Sequence, residues 1–326
     1  MDRRSFIAVL GGAAAWPVVA RGRQSSTPVV GYLSAAGRET DAARVRAVLK
    51  GLKETGFVEG KNLSVEYRWA EGHYDLLPEL AADLVRLKVN VIVAIGGTPA
   101  SFAAKSATTS IPIIFGVGTD PVEAGLVGSL NRPEGNLTGV TILSAELFEK
   151  RVDLLRELVP KATIIAMLAN PNDKLTDAET RAAQAGARSL GVELRVLNAS
   201  TPNDIVAAFL TLTKAPADAL IVTTDAFIGM RKSQIIELAT SRKVPAIYPW
   251  REWTQFGGLM SYGADILDAF RIEGVYAGKV LNGAAPADLP VEQSVKFELA
   301  FNLNAAKALA LHVPPTLLAR ADEVIE

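Results

Sequence analysis

The sequence predicts an α/β protein of two doubly wound, Rossmann-like lobes joined by three crossings. Three observations carry this. Short apolar runs rich in β-branched residues alternate with amphipathic helical stretches, the spacing of right-handed βαβ units. The alternation runs to about residue 142 and then begins again, and Val244-Pro245-Ala246-Ile247-Tyr248 echoes Ile111-Pro112-Ile113-Ile114-Phe115. No glycine-serine linker separates the halves, so short crossings near Leu143 and Ala264 must join them. Residues 28–142 with 265–291 are expected to form the first lobe, and 143–264 with 292–326 the second.

The chain opens on a segment that is not fold. Arg3-Arg4-Ser5-Phe6-Ile7 is a twin arginine followed by a short apolar core that ends near Ala15, and Val18-Val19-Ala20 offers small residues for cleavage. Residues 1–23 therefore read as an export signal of twin-arginine type, with a Sec signal as the alternative, and the mature protein is expected in the periplasm. No cysteine follows the apolar core, so a lipid anchor is not expected.

The first lobe is expected to begin with a strand at Val29–Ser34. An amphipathic helix follows over Asp41–Glu54, with Val45, Val48, Leu49 and Leu52 on one face and Gly56 ending it. Leu63–Trp69 alternates like a half-wet strand, and Leu76–Arg86 reads as a helix with Leu76, Leu77, Leu80 and Leu84 inward. Val91–Ile95 is an unbroken apolar run suited to a strand buried on both faces. Ile111–Phe115 and Leu137–Thr141 complete the first set of strands.

In the second lobe the strand expectations are Thr163–Ala169, Val192–Val196, Ala219–Val222, Val244–Tyr248 and Gly258–Tyr262. Helices are expected over Phe148–Val159, Thr176–Leu190, Asp204–Leu212 and Gln234–Ser241. A long helix over Ile266–Leu281 and a last strand at Phe297–Phe301 precede an acidic tail.

Two local features suggest a ligand. After Ile95, Gly96-Gly97-Thr98-Pro99 turns the buried strand into a helix, with Thr98 as the expected N-cap. A strand end, two glycines and a helix N-terminus form a natural anion seat, although a tight turn without a ligand has the same pattern. Five aromatic residues, Tyr248, Trp250, Trp253, Phe256 and Tyr262, fall within one short stretch. Most of them suit packing of the second lobe. Tyr248 and Trp250, just past a strand end, are the candidates for a cleft where a planar ligand could stack.

The composition excludes much else. Lys and Arg number 34 against 35 Asp and Glu, a net charge of −1, which does not suggest nucleic acid. The absence of cysteine removes disulfide and thiolate chemistry. His73 and His312 have no metal-ligand spacing, and neither a nucleophile elbow nor a phosphate loop is present, so no cofactor, metal or enzymatic activity is expected. An acid–base role for Asp120, Asp225 and Asp265 is the enzymatic alternative.

Beyond these features, the chain resembles the substrate-binding proteins of ABC transporters, of the type I periplasmic binding fold, and within them the subfamily related to aromatic amino-acid binding proteins. The resemblance covers nearly the whole mature chain. It is carried by Gly31-Tyr32-Leu33-Ser34, the run Gly51–Asn62, Gly96-Gly97-Thr98-Pro99-Ala100 and Thr119-Asp120-Pro121-Val122. Pro133–Gly139, Gly257–Gly263 and the ending Leu317–Glu326 carry it too. The resemblance implies a ligand carboxylate seated on Gly96, Gly97 and Thr98, with Ser34 on the same lobe. The opposite lobe would offer Thr224 and Asp225, with Ala226 standing where the family often has asparagine, and Tyr248 or Trp250. Asp120 and Asp265 are further candidates. For Asp225 and Asp265, a helix N-cap is the plain alternative. The implied partners are a small-molecule ligand, an amino acid or small carboxylate, and an inner-membrane ABC permease, with the protein acting as a monomer. A periplasmic sensor subunit would use the same cleft.

Overall fold

The computed structural model describes residues 27–326, so the export-signal reading of residues 1–23 lies outside the described residues. The chain builds two sheets in succession. The first uses β1 (Val29–Ser34), α1 (Arg38–Glu54), β2 (Ser64–Trp69), α2 (Leu77–Arg86), β3 (Val91–Ile95), α3 (Thr98–Ala107), β4 (Ile113–Val117) and β5 (Leu137–Thr141). Its strands are parallel in the order β2-β1-β3-β4-β5. All residues of β3 and β5 are buried, as strands covered by helices on both faces must be.

The second sheet follows from α4 (Leu147–Leu158), β6 (Ile164–Ala169), α5 (Leu175–Ser189), β7 (Glu193–Asn198), α6 (Pro202–Lys214), β8 (Ala219–Val222), α7 (Ala226–Met230), α8 (Lys232–Ser241), β9 (Ala246–Tyr248), α9 (Arg251–Gln255) and β10 (Met260–Ala264). Its parallel order β7-β6-β8-β9-β10 repeats that of the first. The chain then returns. α10 (Ile266–Leu281) packs on α1, and β11 (Glu292–Gln293) pairs with β5. After a third crossing, β12 (Phe297–Asn302) adds antiparallel to β10, α11 (Leu303–Ala308) and α12 (Pro315–Leu318) follow, and β13 (Glu323–Ile325) closes the edge. This is the two-lobed α/β architecture of the type I periplasmic binding fold. Among the described residues, no helix is long and apolar enough to cross a membrane.

Several expectations shift in detail, each for a physical reason. β11 belongs to the first sheet, which therefore extends to Gln293 rather than 291. Leu76 is 43% exposed, because Tyr74–Leu76 is a separate 3₁₀ turn, and α2 buries Leu77, Ala81 and Leu84 instead. Burial of Leu77 and Leu84 contributes about 1.5–3 kcal/mol each. The fourth strand begins at Ile113, since Pro112 has no N–H to give a ladder, although its carbonyl accepts from Ile92 N at 2.8 Å. The acidic tail, given no element in the sequence reading, forms an edge strand. In α1 the buried stripe is Asp41, Arg44, Val48, Gly51 and Leu52, so two charged side chains face inward.

Each sheet reverses its strand order once, between β1 and β3 and between β6 and β8. Crevices at such switch points, beyond the carboxyl ends of the strands, are where open α/β sheets bind ligands.

Candidate functional site

The two crevices open into one cavity between the lobes, with about 710 Å³ of space among its lining atoms, part of it open to solvent. From the first sheet, Gly96 and Gly97 follow β3 with φ of 87° and 91°. A Cβ on Gly96 would stand 2.9 Å from Ala35 N, so this residue lets the turn pass the end of β1. A Cβ on Gly97 would meet only Pro99 Cδ, at 3.9 Å, so the space beside Gly97 is open. Gly97, not Thr98, is the N-cap of α3, and it makes no side-chain cap bond. Its left-handed backbone completes the bend and draws Thr98 into the first helical turn. The turn keeps its partnerless N–H groups and the positive end of the helix dipole.

The second lobe presents acids to the same space. Asp225 follows β8 and caps α7, its Oδ1 accepting from Ile228 N at 2.8 Å. Its Oδ2 accepts from Asn170 Nδ2 at 3.1 Å and from the hydroxyl of Tyr74, which reaches across from the first lobe. Asp173, in the turn after β6, accepts from Leu175 N at 3.0 Å. Burial, and then the charge of Asp225, push Asp173 up to about 7. Burial also raises Asp225 against the lowering effect of its hydrogen bonds. No ion pair to a cation is made by either aspartate among the described residues. Thr224 Oγ1 donates to Glu179 and lies 3.3 Å from Ser144 Oγ at the first crossing. Burial pushes Glu179 up to about 8.

The walls are apolar and aromatic. Trp250 and Trp253 come from the second lobe, Phe270 from α10, and Val117, Val140, Ile142 and Ile266 fill between them. Arg44 and Glu273 enter from α1 and α10. Arg44 Nη1 holds Asp41 at 3.2 Å, its Nη2 is 4.0 Å from Glu252 of the second lobe, and its guanidinium lies 5.6 Å from the Phe270 ring centroid. Arg44 Nε, Thr223 Oγ1, Trp253 Nε1 and Glu273 Oε2 are buried wall atoms without a hydrogen-bond partner among the described residues. The cavity can thus take an amphipathic molecule with a flat apolar body and charged ends. Among the described residues, no group of three His, Cys, Asp or Glu could hold a metal ion.

Gly96, Gly97, Thr224, Asp225 and Trp250 line this cavity together. The other expected residues lie elsewhere. Ser34 is fully buried, its Oγ accepting from Ala36 N at 3.0 Å. Thr98 borders two side hollows next to Phe102, and its hydroxyl is buried without a partner among the described residues. Asp120 lies in one of those hollows and closes its own turn, accepting from Val122 N at 2.7 Å. Tyr248 is buried and stacks on Trp253 with ring centroids 4.9 Å apart. Asp265 caps α10 and pairs with Lys296 at 2.7 Å, away from the cavity. Phe256 is 58% exposed beneath Lys232, and Tyr262 packs near Phe297.

Sequence reasoning missed Arg44, Asp173, Phe270 and Glu273. A signal existed for two of them. Arg44 shares a helix face with Val48, and Glu273 shares one with Phe270 and Ala277, so each is a charged residue inside an apolar stripe.

Residues 35–325 match the model of the family described as ABC transporter substrate binding protein. The chain is 30% identical over 264 residues to a tyrosine-binding protein of Clostridioides difficile strain R20291, covering 81% of this chain and 75% of that one. It is similar to an ABC domain in complex with L-Trp from Streptococcus pneumonia, with 26% identity, a TM-score of 0.83, and 92% and 100% of the two chains covered. A ligand-free, open substrate binding protein with adhesive properties from Clostridium difficile is also 26% identical, over 91% and 99% of the chains, with a TM-score of 0.63.

Proposed function

The chain belongs to the ABC transporter substrate-binding protein family, and on that premise we propose that it captures an aromatic amino acid between its lobes and delivers it unaltered to an inner-membrane permease. One observation carries the reading. The cavity has an anion-favouring helix N-terminus on one lobe, two buried carboxyls on the other that pair with no cation among the described residues, and Trp250 and Phe270 in its walls. An α-amino acid supplies the complementary carboxylate, ammonium and planar side chain. The tyrosine-binding relative and the structure with L-Trp support the same ligand class.

The mechanism follows from the two-sided contacts. The ligand carboxylate rests on the Gly96–Gly97 turn, and its ammonium faces Asp173, Thr224 and Asp225. The ring lies between Trp250 and Phe270. Only the closed arrangement makes both sets of contacts, so the ligand favours closure. The moving bodies are 28–142 with 265–293 and 143–264 with 294–326. The permease reads the closed shape, and the protein works as a monomer in the periplasm after export by its twin-arginine-like signal.

Calorimetric titration with the standard amino acids and a set of small carboxylates tests this. An aromatic amino acid is expected to bind and to be recovered unchanged by mass spectrometry. At a hundredfold excess over Kd it should add about 2.7 kcal/mol of stability. Binding of none of the aromatic amino acids, or chemical conversion of one, would sink the proposal.

A further inference from the structure

Glu273 is the one charged side chain of the cavity that joins neither a hydrogen bond nor an ion pair among the described residues. It sits on the second turn of α10, 1% exposed, with Oε2 buried and unpartnered. The fold makes room for it. β4 carries glycine at 116, and a Cβ there would collide with the Glu273 carboxyl. The neighbouring cation, Arg44, is already engaged by Asp41. A buried carboxyl left without a partner is costly, so a partner arriving with the ligand is the economical explanation.

We infer that Glu273 is a specificity residue, whose carboxyl accepts a hydrogen bond from a ring-borne N–H or O–H of the bound aromatic amino acid. This rests on the aromatic amino-acid reading above. The ring would enter between Trp250 and Phe270, and Phe270 lies one helical turn before Glu273 on the same face. Burial holds the Glu273 carboxyl well above its ordinary range, against the opposing pull of Arg44. Its carbonyl oxygen can still accept from indole or phenol. The alternative role, an anchor for the ligand ammonium, is disfavoured. The Arg44 guanidinium, on the same wall and within reach of Phe270, repels a ligand cation there. Asp173 and Asp225 have no such neighbour. A site built to hydrogen-bond a ring group discriminates against the analogue that lacks it. The cleft should therefore prefer tryptophan and tyrosine to phenylalanine.

The test titrates wild type, Glu273→Gln and Glu273→Leu with L-tryptophan, L-tyrosine, L-phenylalanine and 3-benzothienylalanine, the isostere of tryptophan without the N–H. Wild type is expected to bind tryptophan about tenfold more tightly than the benzothienyl isostere. Glu273→Gln should keep that preference, since the amide carbonyl accepts, and Glu273→Leu should erase it. If the leucine variant does not fold, the isostere comparison in wild type still decides. Equal affinity of wild type for tryptophan and its isostere overturns the inference, as does a leucine variant that weakens all aromatic ligands alike; both leave the aromatic amino-acid reading standing. If no aromatic amino acid binds wild type, that reading fails and the inference falls with it.

Discussion

Asp173 shows how one residue can make binding depend on pH. Its carboxyl is pushed up to about 7 by burial and by Asp225, whereas an unfolded aspartate titrates near 4. Below about pH 7 Asp173 therefore holds a proton, and on the proposed placement a ligand ammonium must expel it. Affinity should fall as pH drops from 8 to 5, by up to about tenfold per unit below 7. Titrations across that range should show proton release on binding, and Asp173→Asn should flatten the profile. The same raised value has a sign for stability. Between about 4 and 7 the folded protein holds more protons than the unfolded one, so the contribution of Asp173 is present at low pH and lost as pH rises through 7. Asp173 was not legible in the sequence. An Asn-Pro-Asn-Asp turn has the composition of any surface loop, and only the placement of β6 beside β8 puts it at a switch point.

At the scale of the element, the βα turn of Gly96–Gly97 was the most legible part of the site. The buried run before it and the glycines within it are local signals, enough to locate the turn that borders the cavity. What they did not reveal is which residue takes the cap. Gly97 has φ 91° and ψ −162°, a region open in practice only to glycine. Gly97→Ala should destabilise the protein by about 1–3 kcal/mol in urea unfolding and weaken ligand binding, because the turn must rebuild. Unchanged affinity would mean that the turn is architecture and not a seat. Helix faces were read less well. The apolar face expected for α1 omitted Asp41 and Arg44, which belong to the buried stripe because α10 covers them. A helix drawn from its own residues cannot know that its neighbour brings Gly274, where a Cβ would collide with the carbonyl of Val48. That close crossing is set by two segments more than 200 residues apart.

At the scale of the whole molecule, side chains of the two lobes meet across the cleft. Tyr74 of the first lobe donates to Asp225 of the second, and its oxygen also accepts from Phe227 N at 3.2 Å. Arg44 approaches Glu252 across the same cleft. Tyr74→Phe removes a hydrogen bond that joins the two lobes at a buried carboxyl, a contact that the proposed closure would need. Affinity for an aromatic amino acid should fall about tenfold, while the thermal stability of the unliganded protein changes little. Small-angle scattering should then report a larger radius of gyration for the variant at a ligand concentration that closes wild type. Full retention of affinity would show that Tyr74 is a passive part of the rim.

The sequence by itself determined the order of strands and helices, the repeat of one βαβ pattern, the glycine turn and the family. These are properties of periodicity and of local backbone chemistry, which act over a few residues. The tertiary structure alone decided which charged groups share the cavity. Arg44, Asp173, Asp225 and Glu273 come from four elements in two lobes, and no short-range pattern relates them. It also decided that Ser34, Tyr248 and Asp265 are occupied by turn, stacking and cap contacts. Helical and strand periods specify that a face is buried. What lies against that face, core or cavity, follows only from how the two sheets meet.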